Sequence, residues 1–439
     1  MTTEIAIMNK SAIALAADSA VTVGHVSPQG QEQKIYNSAN KLFALSKHAP
    51  VGIMIYGNAS LMGIPWETII KTYRGHLGQK KFNFLKNYCE HFFQYLDKFD
   101  VGTETEQQYV SRVSSSVFFG IRKQLDKLVK EGTEKGKVSE EDMLNILKTI
   151  IQNEYNNFIK IPQNKVFSKT NRNELKKKYF QIITRSFSDA FEKRPVSQDD
   201  QKKLWEMAII AITVGPANQS GIVMAGFGEK EIFPVCHEFD VRAILEGRTI
   251  KAKGKDHCIT HDSDVTIRTF AQSEEVCTFM EGMGRSIDGF FKNAFNSMMV
   301  QAFPSKLSGA LADKLKIDDP DIKNSILDII RKMGQGAVDE INKTLESIKR
   351  QYYINPVVKA TSYLNKGELA AMAETLVNLV SFRKQVTLEA ETVGGPIDVA
   401  VISKGDGFVW IKRKHYFDPA LNHHFFKNYF SGGIVNEKE

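Results

Sequence analysis

The sequence predicts an α+β fold in which a sheet-bearing core arrives in three pieces, with two helical insertions between them. Three observations carry this reading. The first seventy-odd residues are short apolar runs broken by polar turns, ending in a helix pattern. From about residue 80 to 204 the periods are long and helical, with little strand pattern. Sheet pattern returns near 205, yields to helix over about 286–361, and returns again near the C-terminal end. The 439 residues are 42% hydrophobic and 25% charged, close to a soluble globular average, which excludes wholesale disorder and a coiled-coil-only design. No stretch reaches the ~18 apolar residues of a membrane span. The N-terminus has no basic start followed by a long apolar run, so no secretory signal is expected. Four scattered cysteines are too few for a disulfide scaffold, and the cytoplasm is the expected compartment. A net charge of +7 is mild for this length and does not by itself argue for nucleic acid.

In chain order, TEIAIM (3–8) and AIALAA (12–17) read as strands joined by the turn Asn9–Lys10–Ser11. The polar stretch 24–33, with Gly and Pro, predicts a loop. KLFAL (41–45) and VGIMIYG (51–57) read as two more strands, with a turn at Ser46–Pro50. Gly57–Asn58–Ala59 opens a helix to about Arg74, with a kink at Pro65. The lysine-rich insertion contains helical patterns such as FLKNYCEHFFQYL and EEDMLNILKTIIQNEYNNFI. LWEMAIIAITVG, GIVMAGFG, EIFPVCHEFDV and SDVTIRTF read as sheet, and helix then runs with breaks from near Ser273 to Ile354. The last piece joins the helix GELAAMAETLVNLVSFRKQ to the strands GPIDVAVIS and GFVWIKRK. The expected segments are 1–79, 80–204, 205–285, 286–361 and 362–439.

Chemistry concentrates at the N-terminus. Thr2 follows Met1 and is small enough that Met1 should be trimmed, leaving a free α-amine on Thr2. A hydroxyl is a poor nucleophile until a base takes its proton. The α-amine of the same residue can be that base, because its unperturbed pKa is ~7.7–8.0. Such a site needs a cation to hold the amine neutral, a carboxylate to position the cation, and a backbone N–H for the oxyanion.

TTEIAI, AADSAVT (16–22), NKLFAL and VGIMIYGNASL together resemble the proteasome-type N-terminal-nucleophile hydrolases: proteasomal β subunits, the bacterial ATP-dependent threonine peptidase and the bacterial proteasome homologues. The spacing from Thr2 to Asp18 matches the family's nucleophile-to-aspartate spacing without a gap. The resemblance implies that Thr2 is the nucleophile, Asp18 and Lys41 are its ion pair, and the Gly57 N–H receives the oxyanion. Lys34 matches on raw spacing, whereas Lys41 heads the strand where the family places its lysine. Thr22 matches the threonine whose backbone pairs with substrate. Val21, Ile55 and Ala59 would line an apolar specificity pocket. Ser273 stands where the family has a serine beside the nucleophile. The family's aspartate and serine before a glycine pair are replaced here by Glu389, Ala390, Glu391, Thr392 and Val393 ahead of Gly394–Gly395. The implied fold is an αββα four-layer sandwich built from 2–75, about 205–285 and 362–415, decorated by the two insertions. The implied activity is a threonine-type endopeptidase acting on peptide or protein substrates. A homo-oligomeric ring is implied too, and an ATPase unfoldase as a further partner, since the chain has no P-loop of its own.

Plainer readings stand beside these. Thr2 alone is an ordinary strand residue, Asp18 a turn residue, Lys41 a solvated lysine and Gly57 a turn glycine. Ser273 reads equally as a helix N-cap ahead of Glu274 and Glu275. Two alternative functions remain open: a catalytically inactive module of the same fold, and an amidase on a small amide. The lysine-rich insertion has interspersed acids and reads as a solvated helical face, so nucleic acid is not expected. Cys258–x–x–His261 has no matching second pair, so neither a metal nor another cofactor is expected.

Overall fold

The computed structural model describes residues 3–27, 30–37, 39–134, 139–162, 166–192, 194–216, 219–272, 274–317, 319–387 and 394–431. It is a mixed fold of antiparallel sheets and helices. The N-terminal strands are β1 (Thr3–Asn9), β2 (Ala12–Ala17), β3 (Val21–Ser27), β4 (Gly30–Tyr36), β5 (Leu42–Ala44), β6 (Val51–Gly57), β7 (Ser60–Leu61) and β8 (Ile64–Pro65). Helices follow: α1 (Trp66–Leu77), α2 (Leu85–Asp97), α3 (Thr103–Thr133), α4 (Glu140–Phe158), α5 (Lys169–Lys178), α6 (Phe180–Phe191) and α7 (Gln198–Val214). Next come β9 (Ser220–Gly226), β10 (Val235–Leu245), β11 (Arg248–Cys258) and β12 (Val265–Ala271). The remaining helices are α8 (Glu274–Glu281), α9 (Arg285–Asn296), α10 (Phe303–Lys314), α11 (Pro320–Ile348), α12 (Asn355–Tyr363) and α13 (Lys366–Val386), with π-helical turns Ser297–Ala302 between α9 and α10 and Lys349–Ile354 between α11 and α12. The chain closes with β13 (Asp398–Ser403), β14 (Gly407–Lys412) and α14 (His423–Ser431).

The chain divides into two compact units, one of residues 1–42, 231–235 and 257–439, the other of 43–230 and 236–256. The first unit holds an antiparallel sheet in the order β12-β1-β2-β13-β14. Its tight β1–β2 turn is set by Asn9, whose Oδ1 accepts from the N–H groups of Ser11 at 3.0 Å and Ala12 at 3.2 Å. That turn fixes the register, with Ile5 opposite Ala16 and Ile7 opposite Ala14. One face of the sheet, carrying Ile5, Ile7, Ala14, Ala16, Val399 and Val401, packs on Leu369, Ala373, Val377 and Val380 of α13. The start of α13 is fixed by a capping box between Asn365 and Glu368. On the opposite face Glu4 stands between Phe270 and Ala17, and Ala17 in turn faces Asp398.

The second unit holds a sheet in the order β11-β10-β9-β6-β5. Its helices α3, α4, α6 and α7 bury Phe118, Ile151, Ile183 and Leu204 together, continuous with Ala243, Leu245 and Ile250 of β10 and β11. The lysine-rich insertion is thus a packed helical core, and none of its described lysines is buried.

Several expectations fail here for identifiable reasons. The apolar run 204–215 is not a strand but the second half of α7, so the boundary drawn at 204–205 falls inside that helix. The helix buries Leu204, Met207, Ala208, Ile210 and Ile212, and a helix apolar all round shows no amphipathic period. The stretch 24–33 is not a loop but most of the β3–β4 hairpin, with Gly24 opposite Gln33. The first core helix starts at Trp66 rather than near Gly57, and Pro65 is its N-cap rather than a kink. The β7–β8 ribbon fills the gap. Strand β11 was not foreseen at all.

Gly221 offers a test of the second sheet. The Tyr56 ring lies over it, and a Cβ at Gly221 would fall 1.9 Å from Tyr56 Cζ. Gly221→Ala is expected to displace the ring from its 2.5 Å hydrogen bond to Glu238 Oε1 and to cost about 1–3 kcal/mol. Urea denaturation followed by circular dichroism checks it; an unchanged midpoint would contradict this packing.

Candidate active site

The residues that the sequence singles out are distributed between the two units. Asp18, Val21, Thr22 and Lys41 belong to the first, and Ile55, Gly57 and Ala59 to the second. Thr2, Ser273, Glu389, Glu391 and Thr392 lie outside the described residues.

In the first unit, Asp18 follows β2 at the point where the chain leaves the sheet. Its backbone N–H donates to Thr3 O at 3.2 Å, extending the β1–β2 pairing by one residue. Its carboxylate is fully engaged. Oδ1 accepts from the Thr3 backbone N–H at 3.0 Å and from Lys41 Nζ at 2.6 Å. Oδ2 accepts from the N–H groups of Ala20 at 3.2 Å and Gly394 at 3.1 Å. Next to it, the Ser19 N–H donates to Gly394 O at 3.2 Å, and the Ser19 hydroxyl donates to Pro396 O. The corner 18–20 is therefore clamped to the 394–396 segment on both sides.

Lys41 is the cation that reaches this carboxylate. It is 3% exposed, against 1% for Asp18, so the pair sits away from bulk water. Lys34, the other candidate by spacing, is exposed and sits opposite Val23 in the hairpin, with Nζ 5.2 Å from the Tyr36 ring centroid. Val21 opens β3 and is half-buried, and Thr22 stands opposite Ile35.

A third charged group was missed in the sequence. Glu4, 0% exposed, places Oε1 3.5 Å from Lys41 Nζ. One ammonium thus lies within reach of two buried carboxylates. The signal was present: TEIAIM puts a single acid in an otherwise apolar strand, where a lone buried charge requires a partner. Reading TEIAIM as a plain apolar strand passed it over. Thr3 Oγ1 is also buried and has no hydrogen-bond partner among the described residues.

In the second unit, Gly57 ends β6 opposite Ser220 and is exposed. Its φ of +78° is a conformation that favours glycine, and a Cβ there would stand 3.1 Å from Gln219 O. Ile55 is buried opposite Ile222. Ala59 is half-buried, and its carbonyl accepts from the Trp66 N–H at 3.1 Å. A cavity of about 270 Å³ lies beyond, lined by Asn58, Ser60, Tyr109, Arg112, Gln219 and Arg242 among others. No group of three His, Cys, Asp or Glu among the described residues is placed to hold a metal ion.

Two substitutions test the first-unit cluster. Asp18→Ala leaves Lys41 facing only Glu4 and strands the Thr3 and Gly394 N–H groups, so it should lower stability by about 3–5 kcal/mol. Gly395→Ala should act at a distance. Gly395 has φ +77°, and a Cβ there would stand 2.8 Å from Asn37 Cβ. Its Ala variant should push the 394–396 segment off Asp18 and speed hydrogen exchange of the Ala20 and Gly394 amides. Native exchange rates at both amides would refute the clamp.

Among known proteins, no family model and no curated protein matches the chain. Twenty-one solved chains match by structure. One is described as an Anbu (Gly-1) mutant from Hyphomicrobium sp. strain MC1. It has a TM-score of 0.26 and 9% sequence identity, over 100% of this chain and 99% of that one. At that score the likeness carries no argument about fold or activity.

Proposed function

We propose that this chain is a proteasome-type N-terminal-nucleophile hydrolase that cleaves peptide bonds with Thr2, once Met1 has been removed. One observation supports it above the others. The Thr3 N–H, one peptide unit from Thr2, binds the same buried carboxylate that holds Lys41. The backbone N–H to which Thr2 is joined by one peptide bond is therefore held at a fixed carboxylate and ammonium. Those are the groups that a self-activating N-terminal threonine needs.

In this reading Thr2 Oγ attacks the carbonyl carbon and its proton passes to the Thr2 α-amine. Lys41 favours the neutral amine, Asp18 holds Lys41, and the Gly57 N–H receives the oxyanion. The protonated amine then gives its proton to the leaving nitrogen. An ester on Thr2 remains and is hydrolysed by water, with the amine again as base. The Gly57, Ser273, Val21, Thr22, Ile55 and Ala59 roles, the αββα sandwich, the ring and the ATPase partner rest on the resemblance stated above.

A second reading is an inactive module of the same fold. It is favoured by Glu4, because a second carboxylate beside Lys41 offsets the positive charge that would hold the α-amine neutral.

Intact mass before and after a peptide epoxyketone or β-lactone tests the proposal. Loss of Met1 with one adduct on Thr2 is expected, and Thr2→Ala should abolish labelling and turnover without altering the fold. A trimmed chain that never labels would favour the inactive module. Glu4 makes a separate prediction about pH. Removing its negative charge lowers the proton affinity of a nearby amine, so Glu4→Gln should shift the acidic limb of kcat/KM to lower pH, by on the order of one unit. A shift to higher pH would exclude the role assigned to that charge.

A further inference from the structure

Helices α9, α10 and α11 of the first unit form an antiparallel hairpin. Lys292 Nζ donates to Glu346 Oε1 at 3.1 Å, Lys349 Nζ lies 2.8 Å from Asp288 Oδ1, and Gly334 packs against the Met299 carbonyl. What the hairpin buries is small: Pro304 and Ala312 from α10, Gly334 and Val338 from α11, and nothing from α9. What it leaves in water is large. Ile287 is 55% exposed, Phe290 71%, Phe291 44%, Met298 53%, Phe303 49% and Met333 71%.

The first four of these are not scattered. Positions 287, 290 and 291, with Ala294, follow the i, i+3, i+4, i+7 spacing of one face of α9, and Met298 follows in the π-helical turn Ser297–Ala302. Met333 stands at the same level of the hairpin as Met298, since its neighbour Gly334 meets Met299. At ~150–250 Å² per aromatic side chain, the four with Met333 expose on the order of 550–600 Å². The largest apolar patch of a typical monomer is about 300–600 Å², and a standard interface buries about 800 Å² per partner.

We propose that this face is where a second copy of this chain docks, hairpin against hairpin, completing a four-helix bundle about a two-fold axis. An apolar face on a two-helix hairpin is half of such a bundle, and a two-fold contact needs a single self-complementary patch. The charge pattern disfavours other occupants. Residues 285–363 hold 12 Lys and Arg against 9 Asp and Glu, which is not the polybasic face of a membrane-surface or nucleic-acid helix. Asp288 and Lys292, on the patch rim, are already paired within the hairpin. The chain's own stretches outside the described residues are too small to cover it. The two longest, 388–393 and 432–439, offer only Leu388, Val393, Ile434 and Val435 as large apolar side chains.

The test is sedimentation equilibrium on the full chain at tens of micromolar. The unaltered protein should sediment as an even-numbered assembly of the 49.5 kDa chain. Phe290→Asp with Met298→Asp should halve that mass while leaving far-ultraviolet circular dichroism unchanged, because neither side chain is part of the hairpin interior. Leu421→Lys, at an 80% exposed site elsewhere, serves as the control and should change nothing. A monomeric unaltered chain would overturn the proposal, as would an assembly whose mass the double variant leaves intact. Should the double variant unfold, Met333→Lys alone replaces it, with the same halving expected. A monomer that co-sediments with phosphatidylserine vesicles would assign the face to a membrane instead.

Discussion

One ammonium between two buried carboxylates organises the first unit. Lys41 Nζ meets Asp18 and Glu4, and through Asp18 it is tied to the backbone at Thr3, Ala20 and Gly394. These positions span nearly the whole chain. A buried ion pair is weak evidence for net stability, because desolvation offsets most of the Coulombic gain. Its effect is better described as geometric. Each of the four acceptor contacts on Asp18 has a direction, and together they permit one arrangement of the N-terminus, the corner after β2 and the segment before β13.

That arrangement depends in turn on the sheet register. Along β1, odd positions face α13 and even positions face away. A slip of one residue would turn Glu4 into the apolar layer of Leu369, Ala373 and Val377, where no cation waits. The Asn9 turn prevents the slip by capping two N–H groups at the far end of the hairpin. The capping box at the start of α13 fixes the helix against which the apolar face is read. Local turn chemistry, a helix cap and a strand period thus agree on one register, and that register delivers Glu4 to Lys41.

What was legible in the sequence follows the same physics. Strands β1, β2, β6, β9 and β13 announce themselves because short apolar runs are bounded by polar turns. Asp18 and Lys41 were found by spacing and order, and the structure joins them. Helix α7 was not legible, since burial on all sides erases the 3.6-residue period that marks a surface helix. The β3–β4 hairpin was hidden for the opposite reason. Its composition, GHVSPQGQEQK over 24–34, is polar, and the pairing comes from backbone bonds that composition does not report. Glu4 was visible but passed over, because the apolar run around it was read as a plain strand. The exposed stripe on α9 gives a further case: the sequence shows an amphipathic helix, and only the structure shows that its apolar side is the one left in water.

The second carboxylate links chain processing to electrostatics. A positive group 4–6 Å from one carboxylate is attracted to it by roughly 3–4 kcal/mol, for an effective dielectric constant near 20. The natural source is the chain's own α-ammonium. If Met1 is removed, that charge lies on the residue next to Thr3, one ~3.8 Å Cα step away. If Met1 stays, it lies one residue further along the chain. The same trimming that would create the proposed base would therefore also bring the chain's terminal charge one residue closer to Thr3. It follows that Glu4 has opposite consequences in the two regimes. It stabilises a protonated mature terminus, and it opposes the deprotonation on which attack by Thr2 depends. Lys41 must outweigh that opposition for the site to act as a base near neutral pH, which is why its short contact to Asp18, and not to Glu4, is the feature consistent with catalysis.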